Sequence, residues 1–96
     1  MKKIRNLEET RAEIDGLDRQ LMTLFRRRME LAADVAEYKR AHALPTLRPE
    51  REQEILDRAA AAAGPEFAEY AVRFFSGIMA LSRDYQNALR SEEDTE

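Results

Sequence analysis

The sequence predicts an all-α protein of three helices, and three observations lead to that prediction. Apolar residues recur at spacings of three and four along most of the 96-residue chain, which is the period of a helix buried on one face. All three prolines lie in two short breaks, at 43–49 and 64–65, and the second break also contains Gly64. The composition is 36% charged and 44% hydrophobic, with 3 Gly and 3 Pro, as in a soluble helical domain.

The first helix is expected to run from Leu7 to about Ala43, because that stretch contains no proline and a single glycine, Gly16. A helix of about 35 residues is about 50 Å long. A compact chain of this size is only about 32 Å across. We therefore expect a second copy of the chain to cover this helix, in an intertwined homodimeric helical bundle.

One face of the first helix carries cations where a helix normally buries leucines. Spacings of four and three place ten residues on that face: Leu7, Arg11, Ile14, Asp18, Leu21, Phe25, Arg28, Ala32, Val35 and Lys39. A buried cation is costly unless an anion meets it. This face holds three cations and one acid, so we expect the missing anion to come from a ligand.

Two shorter helices follow. The second is predicted from Pro49 to Ala63, because proline suits a first helical turn and Gly64-Pro65 ends the run. The third is predicted from Glu66 to Leu89. Its expected inward residues are Phe67, Tyr70, Ala71, Phe74, Phe75, Ile78, Leu81, Ser82, Tyr85 and Leu89. The chain thus divides into a lead (1–6), a helical domain (7–90) and an acidic tail (91–96) that is expected to fray.

The composition also argues against several classes of function. There is no cysteine and only one histidine, His42, so we expect no metal site. No apolar run reaches membrane-spanning length, and we expect a cytoplasmic protein without a membrane partner. The formal net charge of -3 argues against a nucleic-acid partner, which calls for a basic face.

The polar residues predicted on inward faces indicate a pocket for a small polyanion. They are Arg11, Arg28, Lys39, Arg51, Glu52, Ser82 and Gln86. Two arginines in such a set suit a dicarboxylate, since guanidinium groups bind carboxylates through paired hydrogen bonds. No His, Cys or Lys is placed to activate Ser82 as a nucleophile. The predicted chemistry is positioning and electrostatic stabilisation.

Five motifs in order make the sequence similar to the all-helical class of chorismate mutases. They are Leu7-x3-Arg11-x2-Ile14-x2-Leu17-Asp18, Arg28-Met29-Glu30-Leu31-Ala32, Val35-x3-Lys39, Pro49-Glu50-Arg51-Glu52 and Ser82-x3-Gln86. The likeness extends from about Leu7 to Leu89. It implies three helices in an intertwined dimer. It also implies the rearrangement of chorismate to prephenate, in aromatic amino-acid biosynthesis, with no cofactor and no covalent intermediate.

The resemblance also implies how the substrate is held. Arg28 and Arg11 of the partner subunit would bind the two carboxylates, with Arg51 and Ser82 assisting. Arg48 departs from the pattern, since many members carry an acid at that place. We keep Arg48 as a candidate binding residue that changes the charge of the pocket.

The catalytic roles implied by the resemblance fall on Lys39, Gln86, Glu52 and Arg28. Lys39 and Gln86 would donate hydrogen bonds to the ether oxygen of the breaking bond, and Glu52 would accept one from the ring hydroxyl. Donors aimed at the growing charge stabilise the transition state more than the substrate. These are the implied catalytic residues.

Two alternatives remain open at this point. An isochorismate pyruvate-lyase of the same fold would share the dicarboxylate clamp and Lys39, but such relatives generally lack an acid at the place of Glu52. A catalytically inactive dimeric module that regulates a partner enzyme would tolerate Arg48. Retention of the cations together with Ser82 and Gln86 favours the mutase.

Overall fold

The computed structural model describes residues 6–94, with side chains described up to Ser91. It contains three α-helices, α1 (Leu7–Ala41), α2 (Pro49–Ala63) and α3 (Ala68–Asp94). No strand occurs within the described residues. The all-α, three-helix prediction is therefore confirmed. Met1–Arg5, in the predicted lead, and Thr95 and Glu96, in the predicted tail, lie outside the described residues.

The chain divides after Glu30 into two units, called unit 1 (Met1–Glu30) and unit 2 (Leu31–Glu96). The described part of unit 1 is Asn6 and the first 24 residues of α1. Asn6 caps this helix, because its Oδ1 accepts the Glu8 N–H at 2.7 Å and its carbonyl accepts the Thr10 N–H at 3.0 Å. The helix starts at Leu7, as predicted.

Most of the large apolar side chains described in unit 1 are exposed in the single chain. Six of them are between 48% and 67% exposed: Leu7, Ile14, Leu17, Leu21, Met22 and Leu24. A stripe of this kind is unusual on a protein surface that has no partner. The expectation that a second copy covers it stays a prediction.

In unit 2, α2 and α3 pack against each other. Small residues of α2, including Ala59 and Ala62, line a groove with Ala71 and Phe75 of α3. Short side chains allow two helices to approach closely, and Met79 of α3 is buried. The packing brings the first turns of α2 beside the middle of α3, where the candidate site residues lie.

The predicted inward face of α3 is only partly buried in the single chain. Five residues expected to point inward are 37–62% exposed: Phe67, Tyr70, Phe74, Leu81 and Tyr85. The buried residues are Met79, Ser82 and Gln86. The helix carries two stripes at helical spacing, and periodicity alone does not say which of them faces the rest of the chain.

The end of α1 comes two residues earlier than predicted. Ala43 adopts a left-handed conformation, with φ of 54°, which stops the helix. The Leu44 N–H donates to the Lys39 carbonyl at 2.7 Å and the Ala43 N–H to the Arg40 carbonyl at 3.2 Å. These two bonds form a Schellman cap.

The bounds of α3 also differ from the prediction. A turn follows Gly64, whose φ of 83° suits glycine, and the helix begins at Ala68 rather than Glu66. It continues through Asp94, five residues beyond Leu89, because no glycine or proline interrupts residues 90–94. The predicted fraying of the tail stays a prediction. Within residues 6–94, no helix combines the length and the apolar character that crossing a membrane requires.

Candidate active site

Lys39 lies in the last turn of α1 with its ammonium directed at the loop before α2. Its Nζ donates to the Thr46 carbonyl at 2.7 Å. The pKa of Lys39 is lowered, mainly by burial of the ammonium and then by the nearby Arg48 and Arg90, while Glu52 opposes the shift. Lys39 is therefore a half-buried hydrogen-bond donor within a group of cations.

Thr46 connects Lys39 to the far end of α3. The Arg90 Nη1 donates to the Thr46 Oγ1 at 3.0 Å, while the Thr46 carbonyl accepts from Lys39. The loop before α2 is thereby held by α1 and by α3. This arrangement orients the ammonium of Lys39 without an acid in direct contact.

Glu52, in the first turn of α2, forms an ion pair with Arg83 of α3. The Nη1 atom of Arg83 contacts both carboxylate oxygens of Glu52. The side chain of Arg83 is 32% exposed and that of Glu52 is 24% exposed. This pair is therefore shielded from water more than the pairs on the helix surfaces are. The carboxylate of Glu52 is thus fixed in direction.

Ser82 and Gln86 are adjacent on α3 and both are buried. The Gln86 Nε2 donates to the Ser82 Oγ at 3.0 Å. Among the described residues, the Gln86 Oε1 is the buried side-chain atom without a hydrogen-bond partner. Rotating the amide by 180° would let the Ser82 hydroxyl donate to Oε1 and leave the NH₂ group unpartnered instead. In either orientation one buried amide atom has no partner among the described residues, and a buried polar atom left in that state is costly.

Arg48 and Arg51 lie at the start of α2, where the Arg48 carbonyl accepts the Arg51 and Glu52 N–H groups at 3.1 and 3.0 Å. The Arg51 Nη1 contacts Glu54 Oε2 at 3.2 Å, and its side chain is 57% exposed. The Arg48 Nε contacts Glu50 Oε1 at 3.4 Å. The pKa of Glu50 is lowered by a hydrogen bond involving its own backbone and by one from Arg48. The charge of Arg48 helps to lower the pKa of Lys39, whereas the guanidinium of Arg51 contacts Glu54.

The two remaining candidates, Arg11 and Arg28, belong to unit 1. Arg11 is exposed and Arg28 is half-buried. Neither has a hydrogen bond or an ion pair with another described residue of unit 1, over residues 6–30. Their roles as carboxylate ligands stay predictions.

The sequence analysis missed Arg83, Arg90 and Thr46. Arg83 could have been found, because it has no acid three or four residues away, the separations that give ion pairs on one helix surface. Among the cations of the three helices, Arg28 and Lys39 share this property. A helical cation without a local acid points to a partner elsewhere. Within residues 6–94, no group of three or more His, Cys, Asp or Glu side chains is placed to hold a metal ion.

One protein family matches most of the chain. The model of chorismate mutase type II matches residues 10–87, which is most of the chain. The chain belongs to the chorismate mutase type II family. The matched range contains every candidate residue named from the sequence.

Individual relatives match over about half of the chain. A T-protein of Haemophilus influenzae is 50% identical over 46 residues, which is 48% of this chain and 12% of that protein. A 4-amino-4-deoxychorismate mutase of Streptomyces venezuelae is 43% identical over 54 residues, 56% of this chain and 52% of that protein. A chorismate mutase of Methanocaldococcus jannaschii is 44% identical over 55 residues, which is 57% of this chain and 56% of that protein. The matches thus span about half the length of the two mutases and a small part of the T-protein.

A solved structure covers more of the chain. A conserved hypothetical protein from Pyrococcus furiosus superposes with a TM-score of 0.71 at 33% identity. The superposition covers 88% of this chain and 99% of that protein. The three-helix fold is therefore one that this chain shares with a protein of nearly the same extent.

Proposed function

We propose that this chain is a chorismate mutase, which rearranges chorismate to prephenate. The observation that carries the proposal is the buried Gln86 amide beside Ser82, whose second atom has no partner. With the amide rotated so that Ser82 donates to its oxygen, that second atom is the NH₂ donor that the proposal needs. The half-buried ammonium of Lys39 and the carboxylate of Glu52 lie in the same unit. An ammonium and an amide are the donors that a breaking ether bond requires.

The reaction needs positioning and charge stabilisation. Arg28 and Arg11 of the partner subunit would hold the two carboxylates of the substrate, so that the enolpyruvyl arm lies over the ring in a near-attack conformer. As the C–O bond breaks, negative charge grows on the ether oxygen. Lys39 and Gln86 would donate to that oxygen and stabilise the transition state more than the substrate. No proton transfer and no cofactor is needed for this step.

A homodimer is part of the proposal. Ile14, Leu17, Leu21 and Leu24 form an exposed stripe on α1 with spacings of three and four, as in a helix that packs along another helix. A second exposed stripe, on α3, includes Tyr70, Phe74, Leu81 and Tyr85. Covering both with a second copy would remove apolar area from water and would bring the partner's Arg11 to the site.

Two other activities compete with this one. The pyruvate-lyase of the same fold is disfavoured by Glu52, the acid that those relatives generally lack. A mutase for 4-amino-4-deoxychorismate is a candidate because one relative bears that name. The cytoplasmic location expected from the sequence stays a prediction.

The experiment is a product assay on purified protein in the presence of EDTA. Chorismate is supplied, prephenate and pyruvate are measured separately, and Arg28→Ala is the comparison variant. Prephenate without pyruvate, lost in Arg28→Ala, is the expected result. Pyruvate formation would identify the lyase, and the absence of any turnover would favour the inactive dimeric module.

A further inference from the structure

The ion pair between Arg83 and Glu52 is long-range and partly shielded. Arg83 has no acid three or four residues away on α3, and its partner is 31 positions earlier in the chain. Other arginines on the helices pair locally and are exposed, as Arg73 pairs with Glu69. Arg83 is therefore directed at Glu52 by the packing of α3 on α2.

The charges around Glu52 are mostly positive. Lys39 lies within the electrostatic reach of Arg48 and Arg90 as well as of Glu52, and Arg83 contacts both oxygens of Glu52. The single negative charge of Glu52 is thus already neutralised by contact. The remaining cations leave this part of the site with a positive potential.

We propose that Arg83 is a specificity-determining residue, which makes the Glu52 carboxylate select a neutral hydroxyl over a cationic amino group on the ring of the substrate. The inference rests on the proposed function, in which Glu52 faces the substituent on the ring. It deepens that proposal by naming the substrate class as the 4-hydroxy acid.

The reason is the difference between a hydrogen bond and a full charge interaction. A carboxylate paired with arginine still has lone pairs to accept a hydrogen bond from a hydroxyl. An alkyl amine is an ammonium ion near neutral pH, as the side chain of lysine is. Next to an unpaired carboxylate that ion would be attracted, whereas next to the Glu52–Arg83 pair the carboxylate charge is already neutralised. Discrimination then comes from withholding the ion pair that an unpaired Glu52 would offer to the wrong substrate.

The test compares kcat/KM for chorismate and for 4-amino-4-deoxychorismate. The variants are Arg83→Met, Arg83→Gln as a second neutral replacement should the first fail to fold, and Arg83→Lys, which keeps the charge. Arg73→Met is the matched control on the same helix, because Arg73 forms an exposed pair with Glu69. We expect the unmodified chain to prefer chorismate, the neutral variants to lose about tenfold or more of that preference, and Arg83→Lys to retain most of it.

A second measurement asks whether Arg83 acts through Glu52. In a double-mutant cycle with Glu52→Gln, removing Arg83 should change the preference much less than it does in the unmodified chain. An unchanged preference in both neutral variants, or an equal loss in Arg73→Met, would overturn the inference while prephenate formation upheld the mutase. Turnover of neither substrate by the unmodified chain would instead overturn the proposed function and the inference together.

Discussion

The cations of unit 1 and those of unit 2 differ in what they are bonded to. In unit 2, Lys39 donates to the Thr46 carbonyl and Arg83 contacts Glu52. In unit 1, Arg11 and Arg28 have no such partner among residues 6–30. The comparison teaches that unit 2 orients Lys39, the proposed donor, by itself. Within residues 6–30 the two arginines proposed to bind carboxylates have no anion, and we expect a ligand or a second copy to supply one.

The largest expected effect is that of removing the donor that unit 2 orients. Lys39→Ala should lower kcat by about 10²–10³, as loss of a single transition-state donor does, with the chain still folded by circular dichroism. Arg40→Ala is the control, since Arg40 is the next residue and forms a surface pair with Glu37. A Lys39→Ala rate within about threefold of the control would show that the ammonium is not at the reacting bond.

The second prediction tests whether unit 1 acts in the site of another copy. Arg11→Ala and Lys39→Ala should each be nearly inactive, for the loss of different groups. When the two are unfolded together and refolded as an equal mixture, half of the dimers are mixed, and each mixed dimer has one intact site. About a quarter of the normal activity should then return. No recovery, with mixed dimers verified by a size tag, would mean that Arg11 serves its own chain.

The third prediction concerns pH. Lys39 must be protonated to donate, so kcat should fall as pH rises through its pKa, which is lower than usual because of burial, Arg48 and Arg90. Arg90→Met removes a positive charge, so the pKa should rise and the alkaline limb should move to higher pH. Thr46→Val removes the acceptor of Arg90 without changing the charge and should leave the limb in place. If the alkaline limb of the pH profile moved equally in both variants, the geometry of the loop, and not the charge of Arg90, would be the cause of the shift.

The smallest expected effect is on stability. Ala43 has a φ of 54°, which costs an L-residue about 1 kcal/mol, while glycine adopts it freely. Ala43→Gly should raise the free energy of unfolding by up to about 1 kcal/mol, reduced by the greater freedom of glycine in the unfolded chain. Urea denaturation would measure it. Ala41→Gly, within the helix two residues earlier, is the control and should be destabilising.

The sequence was sufficient to predict the helices, because their apolar periods and their breaks are local. It did not predict the end of α1, since nothing in an Ala-His-Ala run requires the left-handed turn at Ala43. It placed Ser82 and Gln86 inward, and both are buried, but it did not separate them from the apolar stripe of α3 that is exposed in the single chain. An apolar stripe shows that a face is to be covered, and the identity of the covering surface depends on how the helices pack.

The order of the motifs predicted site residues that lie in one unit of the structure, such as Lys39, Glu52 and Gln86. Motif order also suggested a role for Arg51, whose guanidinium is directed toward Glu54. Arg83 was missed because its partner is distant in sequence and the position follows Ser82 on a different stripe of α3. Long-range pairing of this kind depends on the packing of two helices, which a local pattern does not contain.

The turn after α1 fixes Lys39 at two points. Its carbonyl accepts the Leu44 N–H and its ammonium reaches the Thr46 carbonyl, both at 2.7 Å. Inserting one residue before Thr46 would displace that carbonyl by about 3.8 Å, which is beyond hydrogen-bond distance. Surface loops usually tolerate changes in length. We therefore predict that the proposed role of Lys39 constrains the number of residues between α1 and α2, so that variation here substitutes residues rather than inserting or deleting them.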